Sequence, residues 1–110
     1  MNDRIYEELK RVARNREYTT YQKVGDLINL DMENPAHRNE LAETLDEIPT
    51  FEHSHQRPML SVVVVRSDKN IPGEGFFKLA RQLGRYDGRD DLKFFVEELQ
   101  RAWDQWAKLG

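Results

Sequence analysis

Four consecutive valines, Val62 to Val65, close the run Met59-Leu60-Ser61-Val62-Val63-Val64-Val65, and nothing else in the 110 residues limits the fold as strongly. Branching at Cβ stiffens each side chain and disfavours helix. A run without polar alternation suits a strand covered on both faces. The pattern predicts a buried strand over 59–65, which needs other elements to cover it.

Helical spacing supplies those elements. Residues 3–15 place Ile5, Leu9 and Val12 on one face, with Tyr6 and Ala13 beside them. Thr20 is an N-cap for a short helix carrying Tyr21, Val24, Leu27 and Ile28. Asn34-Pro35 opens another, because Asn caps free N–H groups and proline at the first helical position has none to leave unpaired. That helix turns Leu41, Ala42, Leu45 and Ile48 inward and is expected to stop at Pro49. Residues 50–58 read as a loop, 67–70 as a turn, and Ile71 as the start of a short return strand. After the tight loop Pro72-Gly73-Glu74-Gly75, a helix faces Phe76, Leu79, Ala80 and Leu83 inward, with Gly84 as its left-handed cap. Asp90 opens the last helix, whose stripe is Leu92, Phe95, Val96, Leu99, Trp103 and Trp106. The fold class is α+β: one domain over 1–110, helices around a sheet of two or three strands.

Composition narrows the chemistry. There is no cysteine, which excludes disulfides, thiolate metal sites and cysteine nucleophiles. No apolar run approaches the roughly 18 residues of a membrane span. The charged N-terminus lacks a signal peptide's apolar stretch, so no membrane association and a cytoplasmic location are expected. The 17 basic and 20 acidic residues nearly balance, which speaks against non-specific coating of DNA. The balance hides segregation: net charge is +2 over 1–24, −7 over 25–55, +4 over 56–89 and −2 over 90–110. An oriented binding surface is consistent with that pattern.

Candidate chemistry is sparse. In an extended segment His53 and His55 point to one side, as two metal ligands would, with His37 or an Asp as a third. A polar loop explains them better, so no metal and no cofactor are expected. Gly73-Glu74-Gly75 before a helix lacks the spacing of a nucleotide fingerprint, and Glu74 would repel an anion. Asp90-Asp91 is explained by helix capping, and no serine is set in a triad. Trp103 and Trp106 belong to the core or to a partner interface, whereas Tyr21, at a helix start, is a candidate base-stacking residue. Lys78, Arg81 and Arg85 recur at helical spacing opposite Phe76, Leu79 and Leu83, as a solvated face or a phosphate-contacting one.

Three blocks in order then resemble the C-terminal helix-turn-helix domain of the O6-alkylguanine DNA alkyltransferases and alkyltransferase-like proteins. Thr20-Tyr21-Gln22-Lys23-Val24 is similar to the start of that domain's first helix-turn-helix helix, whose tyrosine rotates a backbone phosphate. Asn34-Pro35 followed by Leu41 and Leu45 resembles the opening of its recognition helix. Pro58-Met59-Leu60-Ser61-Val62-Val63, with Arg66-Ser67-Asp68 after it, resembles the active-site block Pro-Cys-His-Arg-Val-Val and its turn. Residues 73–75 and Phe76-Phe77-Lys78-Leu79 fall where that family has a glycine loop and its last helix. The resemblance spans 19–80 and implies a winged-helix-like fold.

The departures are informative. Met59, Leu60 and Ser61 stand in the places of the reactive cysteine, its histidine and the following arginine. A thioether forms no thiolate, so alkyl transfer is excluded. Asn39 stands where the family's arginine fills the gap of a flipped base, with Arg38 adjacent. The loop 49–57 is longer, and Glu40, Glu43, Asp46 and Glu47 oppose phosphate attraction. The leading expectation is a non-catalytic domain of a bacterial or phage type that contacts DNA. Its contact residues are Tyr21, Arg38, Asn39, Arg66, Lys69 and Lys78. The alternative is a protein-interaction module, an adaptor or inhibitor docking through the acidic helix 35–48 or the aromatic C-terminal helix. A small hydrolase using His53 and His55 comes third. Target, partner and oligomeric state are left open.

Overall fold

A computed structural model of the chain describes residues 1–108. Among them are five α-helices, one 3-10 turn and a two-stranded parallel sheet, an α+β arrangement dominated by helix. The helices are α1 (Asp3–Arg14), α2 (Tyr21–Asp26), α3 (Pro35–Ser54), α4 (Glu74–Gln82) and α5 (Asp91–Ala107). The strands are β1 (Thr19–Thr20) and β2 (Val64–Val65), paired Thr19 to Val64 and Thr20 to Val65. Side-chain caps start four of the helices. Asn2 accepts from Ile5 N–H, Thr20 from Lys23, Asn34 from Ala36 and Asp90 from Lys93, each satisfying an amide that the helix leaves open. Gly84, at φ +76°, follows α4 in the left-handed conformation that its sequence position suggests.

The valine run is buried, in a different conformation from the expected strand. Leu60–Val63 form a 3-10 turn, and only Val64 and Val65 are extended. Burial here is set by tertiary contact: the turn sits among α1, α3 and α5, and Met59 through Val65 are all withdrawn from water. Stiff side chains tolerate a single tight turn when three helices enclose it, because packing outweighs the few tenths of a kcal/mol at stake in local propensity. The partner strand also differs from expectation. Ile71 starts no return strand; its carbonyl accepts from Arg66 N–H at 2.8 Å and closes the turn 66–71.

Pro49 does not stop α3, which runs on to Ser54 through the residues expected to form a loop. An interior proline costs a helix about 3 kcal/mol. The extension is held by tertiary bonds instead: Glu52 is fully buried and accepts from Tyr6 Oη at 2.6 Å and from Arg57 Nε and Nη2 at 2.9 and 3.0 Å. The inner face of α5 is rotated from the expected stripe. Phe94, Phe95, Glu98, Leu99, Ala102 and Trp106 are buried, whereas Leu92 and Val96 are 62% and 55% exposed. Phe94 stacks on Tyr86, and buried Glu98 takes Met59 N–H at 3.0 Å, and these contacts fix the rotation.

Candidate nucleic-acid interface

Tyr21 is the first residue of α2, directly after the Thr20 cap, and this position aims its ring toward the loop before α4. The Gly73 N–H donates to the Tyr21 hydroxyl oxygen at 2.8 Å, joining residues 52 apart in sequence. The oxygen is therefore engaged, and the phenol proton remains available to a further acceptor. Burial pushes the phenol above its ordinary pKa, while the Gly73 amide and then the charge of Arg66 pull it partly back. Arg66 thus lies within electrostatic reach of Tyr21.

Beside the tyrosine is a cavity of about 220 Å³, lined by Tyr21, Ala42, Leu45, Asp46, Ser61, Gly73, Gly75 and Phe76. It is smaller than the roughly 300–1,000 Å³ of sites for drug-sized ligands, and suits a single flat ring system. A Cβ placed on Gly75 would meet no atom within 4 Å, so that glycine faces open space. Four segments distant in sequence build the cavity: the start of α2, the middle of α3, the 3-10 turn, and the start of α4 with the glycine before it. Sequence reasoning passed over Asp46, Gly75 and Phe76 as lining residues. Ser61 carried a signal, being the one polar side chain inside the apolar run 59–65.

The acidic residues of α3 are divided between flanks. Successive helical residues turn by about 100°, so Arg38, Ala42 and Asp46 share one flank, on the cavity side. Glu40 and Glu47 fall on the opposite flank, where Glu47 pairs with the N-terminal amine of Met1 at 3.4 Å. Only Asp46 stands at the cavity. Withdrawal from water, and then the neighbouring charge of Glu43, raise its pKa. Arg38 is exposed and donates from Nη1 to the Met32 carbonyl at 3.1 Å, and Asn39 is exposed beside it.

Of the remaining expected contacts, Arg66 and Lys69 flank the exposed turn after β2. Arg66 is held in two hydrogen bonds to Asp68, at 3.2 and 2.9 Å, and Lys69 is exposed. Lys78 is exposed on the outer face of α4 and takes no part in the cavity lining. Tyr21 and Arg66 lie within electrostatic reach of each other, Arg38 and Asn39 lie in the first turns of α3 ahead of its cavity-lining residues, and Lys78 stands apart. Arg85, read as part of a solvated face with Lys78, instead binds buried Glu98 through Nε at 2.8 Å and Nη2 at 3.2 Å.

The histidines are dispersed. His53 lies inside α3 and His55 caps it, so helical rather than extended spacing separates them and they do not face one way. His55 Nδ1 lies 3.0 Å from the Phe51 carbonyl, and His37 Nδ1 accepts from Asp31 N–H at 2.9 Å. A larger, open groove of about 620 Å³ between Gly84 and Glu97 sets Arg85, Arg89 and Lys93 against Asp87, Asp90 and Glu97, a mixture that favours neither sign of ligand. Among the described residues, no helix is long and apolar enough to cross a membrane. Compared with protein-family models, curated proteins and solved structures, the chain matches none.

Proposed function

We propose that the chain is a non-catalytic, winged-helix-like domain that binds DNA, with α2 and the Arg38–Asp46 flank of α3 against the duplex and the turn 66–71 on its phosphates. The observation that carries this reading is the convergence of Tyr21, α3 and the 3-10 turn on one ring-sized cavity. These are the segments on which the resemblance to the alkyltransferase domain rests, and their meeting supports it. On this reading Tyr21 offers its free proton to the nucleic acid, and a base turned out of the stack enters the cavity. Arg38, Asn39, Arg66 and Lys69 hold the backbone, and Lys78, apart on α4, is reached only by a longer stretch of it. Turning Glu40 and Glu47 to the other flank lowers the repulsion that the acidic helix would otherwise impose. Met59, in the place of the reactive cysteine, is a fully buried thioether with no nucleophile to offer.

The test is a titration of duplex DNA at several salt concentrations. Three to four phosphate contacts give a log–log slope near −3, at roughly 0.9 counterions per contact. Replacing Arg66 and Lys69 together by alanine should weaken binding to all sequences alike and flatten the slope by between about one and two. If no DNA or RNA binds at low salt, the reading fails. The exposure of Leu92 and Val96 on α5 favours the second reading, a protein-interaction module, which then takes its place.

A further inference from the structure

The outer side of α5 presents apolar side chains to water. Leu92 and Val96, 62% and 55% exposed, are the two most exposed large apolar residues among those described. At about 100° per residue from Leu92, Trp103 falls at about 20°, Val96 at about 40° and Ala107 at about 60°, one continuous stripe. Trp103 is half-buried, its indole N–H donating to the Glu17 carbonyl at 2.8 Å, and Tyr18, the next residue, is 53% exposed. One flank of the stripe, at about 100° to 140°, is charged in a fixed order. Lys93 comes first along the helix, then Glu97 and Asp104. Arg16 takes Asp104 at 3.1 Å, and Glu97 leans to Arg101 at 3.5 Å rather than back to Lys93. Among the described residues Lys93 makes no ion pair, and it is exposed.

We propose that this stripe is a self-association face, covered by α5 of a second copy of the chain running antiparallel. Two-fold symmetry makes such a face meet itself, residue i on j and j on i. An axis that levels Leu92 with the partner's Val96 also levels Val96 with the partner's Leu92. In that register Lys93 stands within about 3 Å along the helix axis of the partner's Glu97, at 1.5 Å per residue, and the reverse holds too. The charged flanks of an antiparallel pair lie side by side, so these opposite charges meet. A parallel pair would put the two flanks on opposite sides of the seam. A second copy is the fitting occupant because one flank supplies both halves of the complement. A standard interface covers about 800 Å² of each partner, whereas the stripe is roughly 16 Å by 10 Å, so the association is weak and reversible.

The inference is independent of the DNA reading, and its test contains no DNA. Sedimentation equilibrium of the full chain is run from about 20 µM to about 1 mM, because mass action sets a weak dimer. The average mass should rise across that range from one chain toward two. Val96→Glu should hold it at one chain, since a carboxylate would then sit on the partner's Leu92. Lys93→Glu and Glu97→Lys should each weaken association several-fold, and the two combined should restore it to within about twofold, because the reversed order is again complementary. All four variants should keep the circular dichroism of the parent, as the altered side chains are exposed. A second measurement needs no variant: dilution of ¹⁵N-labelled parent should move the Leu92, Lys93 and Val96 amides most and leave those of Tyr21 and Gly73 in place. A mass that stays at one chain up to about 1 mM overturns the proposal. So does self-association that survives Val96→Glu, or a charge swap that fails to restore it. Each of those results leaves the DNA reading standing.

Discussion

The Arg66 guanidinium that should meet a phosphate is already held by a carboxylate of its own turn. Two hydrogen bonds join it to Asp68, and that contact holds the Asp68 carboxyl below its ordinary range. Both side chains are substantially exposed, so the pair adds little to stability. On the proposed DNA reading its consequence lies in binding, because a phosphate would have to displace Asp68 before Arg66 counts as a full contact. Asp68→Asn should therefore tighten duplex binding several-fold and steepen the salt slope by about one, with an unchanged melting temperature. Arg66→Ala should cancel that gain when the two changes are combined; a gain that persists would mean Asp68 acts only through net charge. Tyr6 supplies a second residue-level test. Burial, and then its hydrogen bond to Glu52, push its phenol up to about 12 from an ordinary 10. The unfolded chain then loses this proton first, so the contribution is complete below about pH 10 and disappears as pH rises toward 12. Urea midpoints should fall between pH 9 and pH 11 in the parent, and Tyr6→Phe should lose this part of the decline.

At the scale of elements, periodicity and caps were the legible part of the sequence. Thr20, Asn34-Pro35 and Asp90 each start a helix as their side-chain chemistry requires, and α1 buries Ile5, Leu9, Val12 and Ala13 as its spacing indicates. What stayed hidden was set by groups far away in the chain. The continuation of α3 past Pro49 depends on Tyr6 and Arg57 meeting Glu52. The rotation of α5 depends on Glu98 meeting Met59 and Arg85. No local pattern announces a buried carboxylate, because glutamate at helical spacing reads as solvent-facing. The cavity escaped for a similar reason, since its lining is drawn from four separate stretches of chain. The valine run was legible in burial and illegible in conformation. Val63 lies in the 3-10 turn and Val64 in the strand, both without exposed surface. Val63→Asp or Val64→Asp should unfold the protein, because an unpaired buried carboxylate costs several kcal/mol against a typical 5–15 kcal/mol of total stability. Thermal melting followed by circular dichroism checks this, and a parent-like transition would mean the run is accessible to water.

Across the whole molecule, a net charge of −3 conceals a division of faces. One side carries Tyr21, the Arg38 flank of α3 with Asp46, and the turn with Arg66, Asp68 and Lys69. Another carries Glu40 and Glu47 of α3, the latter tied to the start of α1. The exposed Leu92 and Val96 belong to α5, outside the cavity. Such a division orients a partner at long range even when the total charge is slightly repulsive. The central claim is that DNA meets the cavity-bearing side, and amide chemical-shift mapping of ¹⁵N-labelled protein with a short duplex at low salt tests it most directly. The account predicts that the largest shifts fall at Tyr21–Lys23, Arg38–Ala42, Arg66–Lys69 and Gly73–Gly75, and that they shrink together as salt is raised. Shifts concentrated around Leu92 and Val96, or a spectrum that DNA leaves unchanged, would contradict it.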